Sequence, residues 1–584
     1  MSKNSLSKNE ISKRLGEHGL FILPDAAEMI VEKNQPGDYI DTIIEVTESG
    51  ETIDKGFVTE LSEDFTSKSG EEYEEETEHQ EVDENNDNKH EEDVSKTPES
   101  KEESRRGARE ESTENVVEEG IDPYEALQSL ESNETETEDV SQVLNRKDAL
   151  DDKHPELCNV MFNRELPEAK TRISVEEDYE IKGDITGRSR GEGEFDDFRS
   201  LFEDRYNKMV DLLAQRTGQL HRVSDVHPRR HGGESMTVAG LVWDTFVSKN
   251  GNYFIDLEDP ETNDLLRVGW TSDEIKEVFE QVVPDEVVAI RGNLAEDGDI
   301  IWGDDEVRRG RPPIMFPDVP RRSNDNRPSA GVQAALISDI HVGADEFYPE
   351  NWNEFVDWIR TTPTVKYLFV AGDIVEGIGV YPDQDEELTV LDIYDQYAMA
   401  GRMFDQIPDD VKIFASVGNH DSVRLAEPQP TIIEEFTQYF SNNTEFVGNP
   451  VTVDVNGVNI LMYHGMSLYS LAEAVPGYDA EDPLPIMELM LKKRHVAPVY
   501  GKNLRLAPEE KDYLVIENPP DVLHCGHVHK YGKDTYNGVK MTNTATWQGQ
   551  TDFQKSKGIE PDPGHWSVIN LSTLDMEEYS VDDV

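Results

Sequence analysis

The stretch VQAALISDIHVG, residues 332–343, decides the fold of the carboxyl-terminal part of this chain. Its first six residues are apolar apart from one glutamine, which is typical of a short buried strand. Asp339 and His341 follow this run, and Gly343 lets the backbone turn sharply and approach a bound ion closely. In open α/β sheets, ligands bind beyond the carboxyl ends of the strands. The stretch therefore predicts a strand that delivers two ligand-type side chains to one site.

Four later stretches repeat this arrangement of an apolar run, a ligand-type residue and a glycine. They are VKYLFVAGD (365–373), VKIFASVGNHD (411–421), VNILMYHG (458–465) and PDVLHCGHVH (520–529). The candidate site residues that they add are Asp373, Asn419, His420, Asp421, His464, His527 and His529. Four of the five motifs, taken alone, are more often an ordinary turn or surface residue than a ligand; Gly-Asn-His-Asp is the exception, because a histidine between Asn and Asp has no turn-forming role. Five in succession, each at a strand end, predict a two-metal site in an α/β domain.

The residue types in these motifs suit a dinuclear hydrolase. Such a site needs one carboxylate that bridges two ions about 3.5–4 Å apart, and it leaves other positions open for water and phosphate. Mixed Asp, Asn and His ligation favours Mn²⁺, with Fe or Zn as alternatives, over Mg²⁺ and Ca²⁺, which prefer oxygen ligands alone. A histidine that binds neither ion can protonate the leaving oxygen. We therefore expect two divalent metal ions and attack on a phosphate ester.

The charge of the chain indicates a salt-rich environment. Its 584 residues include 124 Asp and Glu against 55 Lys and Arg, a net charge of −69. Residues 71–150 hold 29 acidic and 8 basic residues, which leaves −48 on the rest of the chain. Salt makes such self-repulsion tolerable, because the Debye length falls to about 3 Å at 1 M. We expect a halophilic protein, in which acidity does not exclude DNA binding.

The sequence predicts a cytoplasmic protein with no membrane contact. No apolar stretch approaches the roughly 20 residues that span a bilayer. The first residues, MSKNSLSKNEISKRL, lack the apolar core of a signal peptide. Two cysteines, Cys158 and Cys525, cannot form a disulfide scaffold, and this favours a reducing compartment.

Composition and patterning divide the chain into four regions. Weak helical patterning at the start predicts a small helical module, and the charge runs after it, with few aromatic residues, predict a disordered acidic linker. A helix with an OB-type β-barrel and then the α/β domain complete the chain. The predicted bounds are 1–60 for the helical module, 61–166 for the linker, 190–320 for the helix and barrel, and 331–584 for the α/β domain.

The barrel is predicted from alternating apolar and polar residues. The stretch MTVAGLVWDTFVSKNGNYFIDLED, residues 236–259, predicts two strands joined at an Asn-Gly turn. Further strands around one short helix complete a pattern of five strands with one helix. Barrels of this kind bind single strands or dock other proteins. Few basic and aromatic residues are interleaved here, and this favours docking.

The order Asp-x-His, Gly-Asp, Gly-Asn-His-Asp, His-Gly and Gly-His-x-His resembles the calcineurin-like metallophosphoesterase superfamily. The resemblance implies a phosphoesterase sandwich with two metals. One metal would be held by Asp339, His341, Asp373 and His529, and the second by Asp373 as a bridge with Asn419, His464 and His527. The resemblance also implies that His420 is the general acid and that Asp421 orients it.

A narrower resemblance is to the small subunits of archaeal family-D DNA polymerases. It rests on VEGIGVYPDQDEEL (375–388), GNHDSVRLAEPQP (418–430), IMELMLKKRHVAPVYGKN (486–503) and TWQGQTDFQ (546–554), and on the order of the domains. It implies a 3′→5′ exonuclease for proofreading that acts on single-stranded or mismatched DNA 3′ ends beside a large catalytic subunit. A stand-alone nuclease or phosphodiesterase of the same superfamily and a non-catalytic polymerase scaffold remain the alternatives. The filled ligand positions favour an active site over a scaffold.

Overall fold

The computed structural model describes most of the chain after residue 139. The described ranges are 21–22, 52–53, 140–174, 177–226, 235–295, 300–304, 312–321, 331–381, 384–501 and 504–584. The chain divides into two compact units, Met1–Thr113 and Glu114–Val584. In the first unit, strands β1 and β2 pair in parallel, Phe21 with Thr52 and Ile22 with Ile53. The rest of the predicted helical module, and the linker up to residue 139, lie outside the described residues.

The second unit is a mixed α/β structure. Its helices are α1 (Val140–Lys153), α2 (Pro155–Phe162), α3 (Phe195–Thr217), α4 (Val223–Val226), α5 (Lys276–Phe279), α6 (Pro349–Thr361), α7 (Ile393–Phe404), α8 (Glu434–Thr437), α9 (Ser467–Ala474), α10 (Pro483–Lys493) and α11 (Asp552–Lys557), with 3₁₀ turns at Asp273–Ile275 and Gln384–Glu387. No helix within the described ranges combines the length and the apolar character that a membrane span requires.

The strands of both units are numbered in chain order. They are β1 (Phe21–Ile22), β2 (Thr52–Ile53), β3 (Tyr179–Lys182), β4 (His221–Arg222), β5 (Ser235–Val247), β6 (Tyr253–Asp259), β7 (Asp264–Trp270), β8 (Val287–Leu294), β9 (Ile300–Gly303), β10 (Ile314–Met315), β11 (Gln333–Ile337), β12 (Val365–Ala371), β13 (Lys412–Ser416), β14 (Thr444–Phe446), β15 (Val451–Val455), β16 (Val458–Met462), β17 (Val522–Cys525), β18 (Tyr531–Tyr536), β19 (Val539–Thr544), β20 (His565–Asn570) and β21 (Met576–Ser580).

The predicted OB-like barrel is confirmed. Strands β5 to β9 close a five-stranded ring, because the long strand β5 pairs with β6 through one part and with β8 through another. A bulge between Val242 and Asp244 separates two registers of the β5–β6 pairing, and such bulges bend a strand. The predicted Asn-Gly turn joins β5 to β6, with Gly251 at φ 81°. The single helical segment between β7 and β8 also matches the predicted order.

The α/β domain is a sandwich of two six-stranded sheets. The first sheet has the order β14-β13-β12-β11-β20-β21, and the second has the order β18-β19-β17-β16-β15-β3. Apolar side chains of both sheets share one core between them, among them Phe369, Phe414, Val453 and Ile460. Strands β11, β12 and β13 run parallel to one another, and β16 runs parallel to β17. The five predicted ligand-bearing runs therefore end at corresponding edges of the two sheets.

The linker prediction is wrong for residues 140–162. These residues form α1 and α2, and Leu150, Cys158 and Met161 are buried in the core beside α6 and α7. Basic residues of α1 also reach the buried carboxylate of Asp395 on α7, with Arg146 at 2.8 Å. Only a few apolar residues make this contact, so the local pattern is too weak to predict helices that depend on tertiary packing.

The α/β domain also begins before the predicted residue 331. Strand β3 lies upstream of the barrel in sequence, yet it pairs antiparallel with β15 at the edge of the second sheet. The barrel is fastened to the same domain by buried ion pairs. Glu286 beside β8 lies 2.7 Å from Lys493 of α10, and Arg205 of α3 lies 2.6 Å from Asp512. The barrel, α3 and the sandwich are therefore joined through charged groups removed from water.

Candidate metal centre

Five of the predicted site residues lie at strand ends with a left-handed backbone. Their φ angles run from 51° to 72°, and the residues are Asp339, His341, Asp373, His527 and His529. This conformation is unfavourable for residues with a Cβ, and such strain concentrates at functional sites. The sharp turns bring side chains from separate strands to one place.

The first group of converging side chains is Asp339, His341 and His529. Their ligand atoms lie within 4.8 Å of one another, and all three residues are buried. The Nε2 atoms of His341 and His529 are 3.1 Å apart. The carboxylate of Asp339 lies 3.5 Å from Nε2 of His529 and 3.8 Å from Nε2 of His341. Nitrogen and oxygen ligands that face one point in this way could hold a divalent ion.

The second group is Asp373, His464 and His527, whose ligand atoms again lie within 4.8 Å of one another. Oδ2 of Asp373 is 3.2 Å from Nε2 of His464. The amide oxygen of Asn419 lies 3.0 Å from the same nitrogen and so joins the group. Oδ2 of Asp373 is also 3.7 Å from Nε2 of His341. Asp373 therefore lies between the two groups, as a bridging carboxylate must.

Two glycines leave the space that these carboxylates fill. A Cβ on Gly418 would collide with Oδ1 of Asp373, and a Cβ on Gly526 would collide with Oδ2 of Asp339. The conformational freedom of glycine is less important here than its lack of a side chain. The donor set and these two close approaches fit a pair of divalent ions.

Neighbouring groups contact Nδ1 of three of the four imidazoles in these groups. Nδ1 of His341 is 2.6 Å from Oε2 of Glu376, and Nδ1 of His464 is 2.9 Å from the carbonyl oxygen of Ala371. Nδ1 of His529 is 2.7 Å from the side-chain amide of Gln554. The oxygen acceptors beside His341 and His464 favour a proton on Nδ1 and would leave Nε2 free to bind a metal, whereas the amide nitrogen of Gln554 donates to Nδ1 of His529 and fixes only the orientation of that ring.

His420 lies beside the two groups, with its ring held by Glu376. Nδ1 of His420 is 2.8 Å from the carbonyl oxygen of Glu376 and 3.4 Å from its Oε1. The backbone N–H of His420 donates to Oδ1 of Asp373 at 2.8 Å. His420 thus contacts the bridging carboxylate through its backbone and keeps its imidazole at the partly open side of the site.

The carboxylate of Asp421 does not make the expected contact with the ring of His420. Its carboxylate accepts backbone N–H groups of Gly418 at 2.9 Å and Ile374 at 3.2 Å. These bonds tie together the two loops that follow β12 and β13. Glu376 is the carboxylate that contacts the ring of His420, because it projects from the neighbouring loop across the site. Asp421 is therefore a buried residue that holds together the two loops that carry the site.

Charges within the site oppose the effect of burial on its histidines. Burial alone lowers the pKa of His420, but the carboxylates of Glu376 and Asp373 raise it above its ordinary value. The pKa of His464 rises to about 9 against burial, because Asp373 lies beside it. Burial raises the pKa of Asp339, yet the bonds to His341 and the other imidazoles hold it well below its ordinary value. The carboxylates of this centre are therefore stabilised by positive charge close to them.

Sequence reasoning missed Glu376 and Gln554 as functional residues. Glu376 follows Asp373 by three positions in the stretch VEGIG, and Gln554 ends the stretch TWQGQTDFQ. A buried carboxylate so close to a predicted bridging aspartate was the available signal for Glu376. For Gln554 the signal is absent, since only the folding of α11 brings it to His529.

Comparisons with known proteins agree with this geometry. A family model described as calcineurin-like phosphoesterase matches residues 333–531. The DNA polymerase II small subunit of Halobacterium salinarum is 43% identical over 403 residues, covering 68% of this chain and 77% of that protein. The one from Archaeoglobus fulgidus is 38% identical over 399 residues, covering 66% and 77%. The one from Pyrococcus furiosus is 34% identical over 430 residues, covering 69% and 68%. This chain therefore belongs to the archaeal DNA polymerase II small subunits, and its phosphoesterase domain is of the calcineurin-like, metal-dependent type.

Proposed function

We propose that this chain is the proofreading 3′→5′ exonuclease of a two-subunit DNA polymerase. The observation that carries the proposal is the convergence of seven ligand-type side chains, Asp373 among them, with His420 beside them. A subunit whose only task is to tether a polymerase has no need of such a centre. The strained backbone at five of these residues is a further cost that a scaffold would not retain.

The proposal assigns four residues to each ion, with Asp373 shared. One ion would be held by Asp339, His341, Asp373 and His529, and the other by Asp373, Asn419, His464 and His527. The pair of ions would supply Lewis-acid activation of water and neutralise charge on the phosphate. Mixed nitrogen and oxygen ligands favour Mn²⁺, with Fe and Zn as the alternatives to be tested.

His420 is assigned the proton that the leaving group requires. A new bond forms between a water oxygen and phosphorus, and the bond from phosphorus to the 3′ oxygen of the preceding nucleotide breaks. His420 gives that oxygen a proton, and the proton lost by the water replaces it through solvent. The raised pKa of His420 favours the protonated form that this step consumes. Glu376 holds Nδ1, so that Nε2 is the atom left to face the substrate.

A large catalytic subunit is the proposed partner. The relatives are small subunits by name, and this supports pairing with a larger chain. The net charge of −69 leaves little basic surface for DNA phosphates, and phosphate contacts weaken as salt rises. A docked nuclease would instead meet the primer end at an effective concentration of roughly millimolar.

The test is digestion of a 3′-labelled mismatched primer by the whole chain, with and without the large subunit, at matched salt and with Mn²⁺. We expect weak, Mn²⁺-dependent 3′→5′ digestion of single strands by the chain alone and faster digestion of primer-template DNA in the complex. Tight duplex binding with equal cutting in both conditions would favour a stand-alone nuclease. No digestion by the metal-loaded chain, alone or in complex, would leave the scaffold role.

A further inference from the structure

A small pocket opens beside the metal centre and plays no part in holding the ions. Its volume is about 130 Å³, well above the space of one water molecule. Glu376 forms one wall, and the same residue contacts His341 at 2.6 Å. Tyr381 forms another wall, and its ring lies 6.2 Å from the ring of His420. The pocket therefore adjoins both a metal-ligand histidine and the proposed general acid.

The walls of this pocket are acidic. Six carboxylates line it and, among the described residues, no basic side chain does, although Lys555 beside it pairs with Asp552 at 2.9 Å and lies 3.9 Å from Glu346. They are Asp345, Glu346, Glu376, Glu386, Glu387 and Asp552. A phosphate group in this space would meet several like charges at short range, and such placements cost several kcal/mol. A hydroxyl group would instead find acceptors for its proton. The pocket is suited to an uncharged part of a nucleotide.

A buried amide in the wall lacks a partner. Gln548 lines the pocket and is 2% exposed, yet its Oε1 atom accepts no hydrogen bond from the described part of the chain. A buried acceptor left without a donor is costly, and native structures usually satisfy such groups with protein or ligand. The neighbouring carboxylates cannot satisfy it, since they too are acceptors. A ligand that donates an O–H or N–H would do so.

Tyr381 adds an aromatic surface to the same pocket. Its hydroxyl donates to Glu387 at 3.0 Å, which fixes the ring against the acidic wall. Tyr381 is only partly buried, so part of the residue is accessible. Aromatic side chains bind unpaired bases by stacking, with little regard to their identity. A frayed terminal nucleotide offers such a base, whereas a paired one does not.

From these contacts we propose that the pocket binds the terminal nucleoside of a DNA strand and reads its free 3′-hydroxyl. Gln548 accepts the hydroxyl proton, Tyr381 contacts the base, and the carboxylates reject a strand that continues with another phosphate. The pocket thus makes the enzyme an exonuclease rather than an endonuclease. This inference rests on the proposed function, because it assumes that the adjoining centre cleaves DNA.

The experiment uses the whole chain with Mn²⁺ and single strands that differ only at the 3′ end. Strands ending in 3′-hydroxyl, 3′-hydrogen and 3′-phosphate are compared, together with a circular single strand. We expect the 3′-phosphate strand to be cleaved at least about tenfold less efficiently than the 3′-hydroxyl strand, and the circle to resist cleavage. Binding of the same linear strands to the His420→Ala chain, measured by fluorescence anisotropy, should follow the same order.

Variants of the wall then assign the effect. Gln548→Leu should lower the efficiency with which the 3′-hydroxyl strand is cleaved by about 2- to 10-fold, which corresponds to the loss of one hydrogen bond. Cleavage of the 3′-hydrogen strand should stay unchanged. The double variant Glu346→Gln, Glu386→Gln should reduce the difference in cleavage efficiency between the 3′-hydroxyl and 3′-phosphate strands. Glu354→Gln is the matched control, because this exposed carboxylate on α6 does not line the pocket. This control should leave the ratios of cleavage efficiency between the strands unchanged.

Two results would overturn the inference. One is equal cleavage of 3′-hydroxyl, 3′-phosphate and circular strands by the unaltered chain. The other is a set of end preferences that neither Gln548→Leu nor the double variant moves. Failure of the metal-loaded chain to digest any strand has a different meaning: it would overturn the proposed exonuclease itself, and the pocket assignment with it.

Discussion

Replacing Glu376 by glutamine tests how the site orients and charges its general acid. The side chain keeps its size but loses the carboxylate that lies 2.6 Å from Nδ1 of His341 and 3.4 Å from Nδ1 of His420. The contact with His341 is buried and the contact with His420 is partly buried, so solvent screens both only in part. One substitution therefore weakens the support of a proposed ligand and of the proposed acid together.

The expected loss is large for a residue that touches no substrate phosphorus. Removing a partner that orients a ligand histidine costs about 10- to 100-fold in activity or metal affinity. Because Glu376 serves two histidines, we expect the upper end of that range in kcat. The pKa of His420 should also fall, since burial lowers it and Glu376 is the foremost group that raises it. An acid must be protonated to act, so the alkaline limb of the kcat profile should move to lower pH.

The assay is a pH profile of kcat with metal content measured on the same preparation. Asp421→Asn is the comparison, because Asp421 accepts backbone N–H groups of Gly418 and Ile374 and does not hold the His420 ring. It should lower the midpoint of thermal unfolding, since a buried N–H left unpaired costs about 1–3 kcal/mol. It should leave the alkaline limb in place. A limb that moves with Asp421→Asn and stays with Glu376→Gln would refute the assignment.

Four further outcomes are expected. Asp373→Ala should lose both ions and all nuclease activity, whereas His420→Ala should keep both and slow turnover about 10²–10⁴-fold; metal analysis of the two chains decides, and equal metal loss would contradict the roles. Glu286→Gln should leave the buried ammonium of Lys493 without its counter-charge and destabilise the junction with the barrel by about 3–5 kcal/mol; denaturant titration measures this, and an unchanged midpoint would show that the pair is not important. Burial lowers the pKa of His495 to about 4, so the unfolded chain takes up a proton below about pH 6.5 that the folded chain refuses. Stability should therefore fall by up to about 3 kcal/mol towards pH 4, and His495→Asn should remove that part of the slope. Lastly, dilution from molar KCl should lower the thermal midpoint, because like charges are then less screened; a higher midpoint in dilute buffer would contradict the halophilic interpretation.

The sequence by itself determined the parts of this protein that are encoded within a few residues. An apolar run, a ligand-type side chain and a glycine recur five times, and each run that carries them forms a strand that ends at the site. The residue types alone indicated a two-metal centre, because Asp, Asn and His at strand ends have no simpler shared role. The Asn-Gly hairpin of the barrel was predictable for the same reason, because the residues of a turn themselves favour the backbone conformation that the turn requires.

Only the tertiary structure decided which distant groups meet. Arg146 and Asp395 are 249 positions apart, yet their contact helps hold two helices that the local pattern did not indicate. The family resemblance implied Asp421 as the partner that orients His420, but the folded loops bring Glu376 to the ring instead. The unpaired side-chain oxygen of Gln548 becomes part of a pocket only because residues from three other segments pack beside it. Such meetings depend on which surfaces are buried together, and that is a property of the whole packed chain rather than of any short stretch.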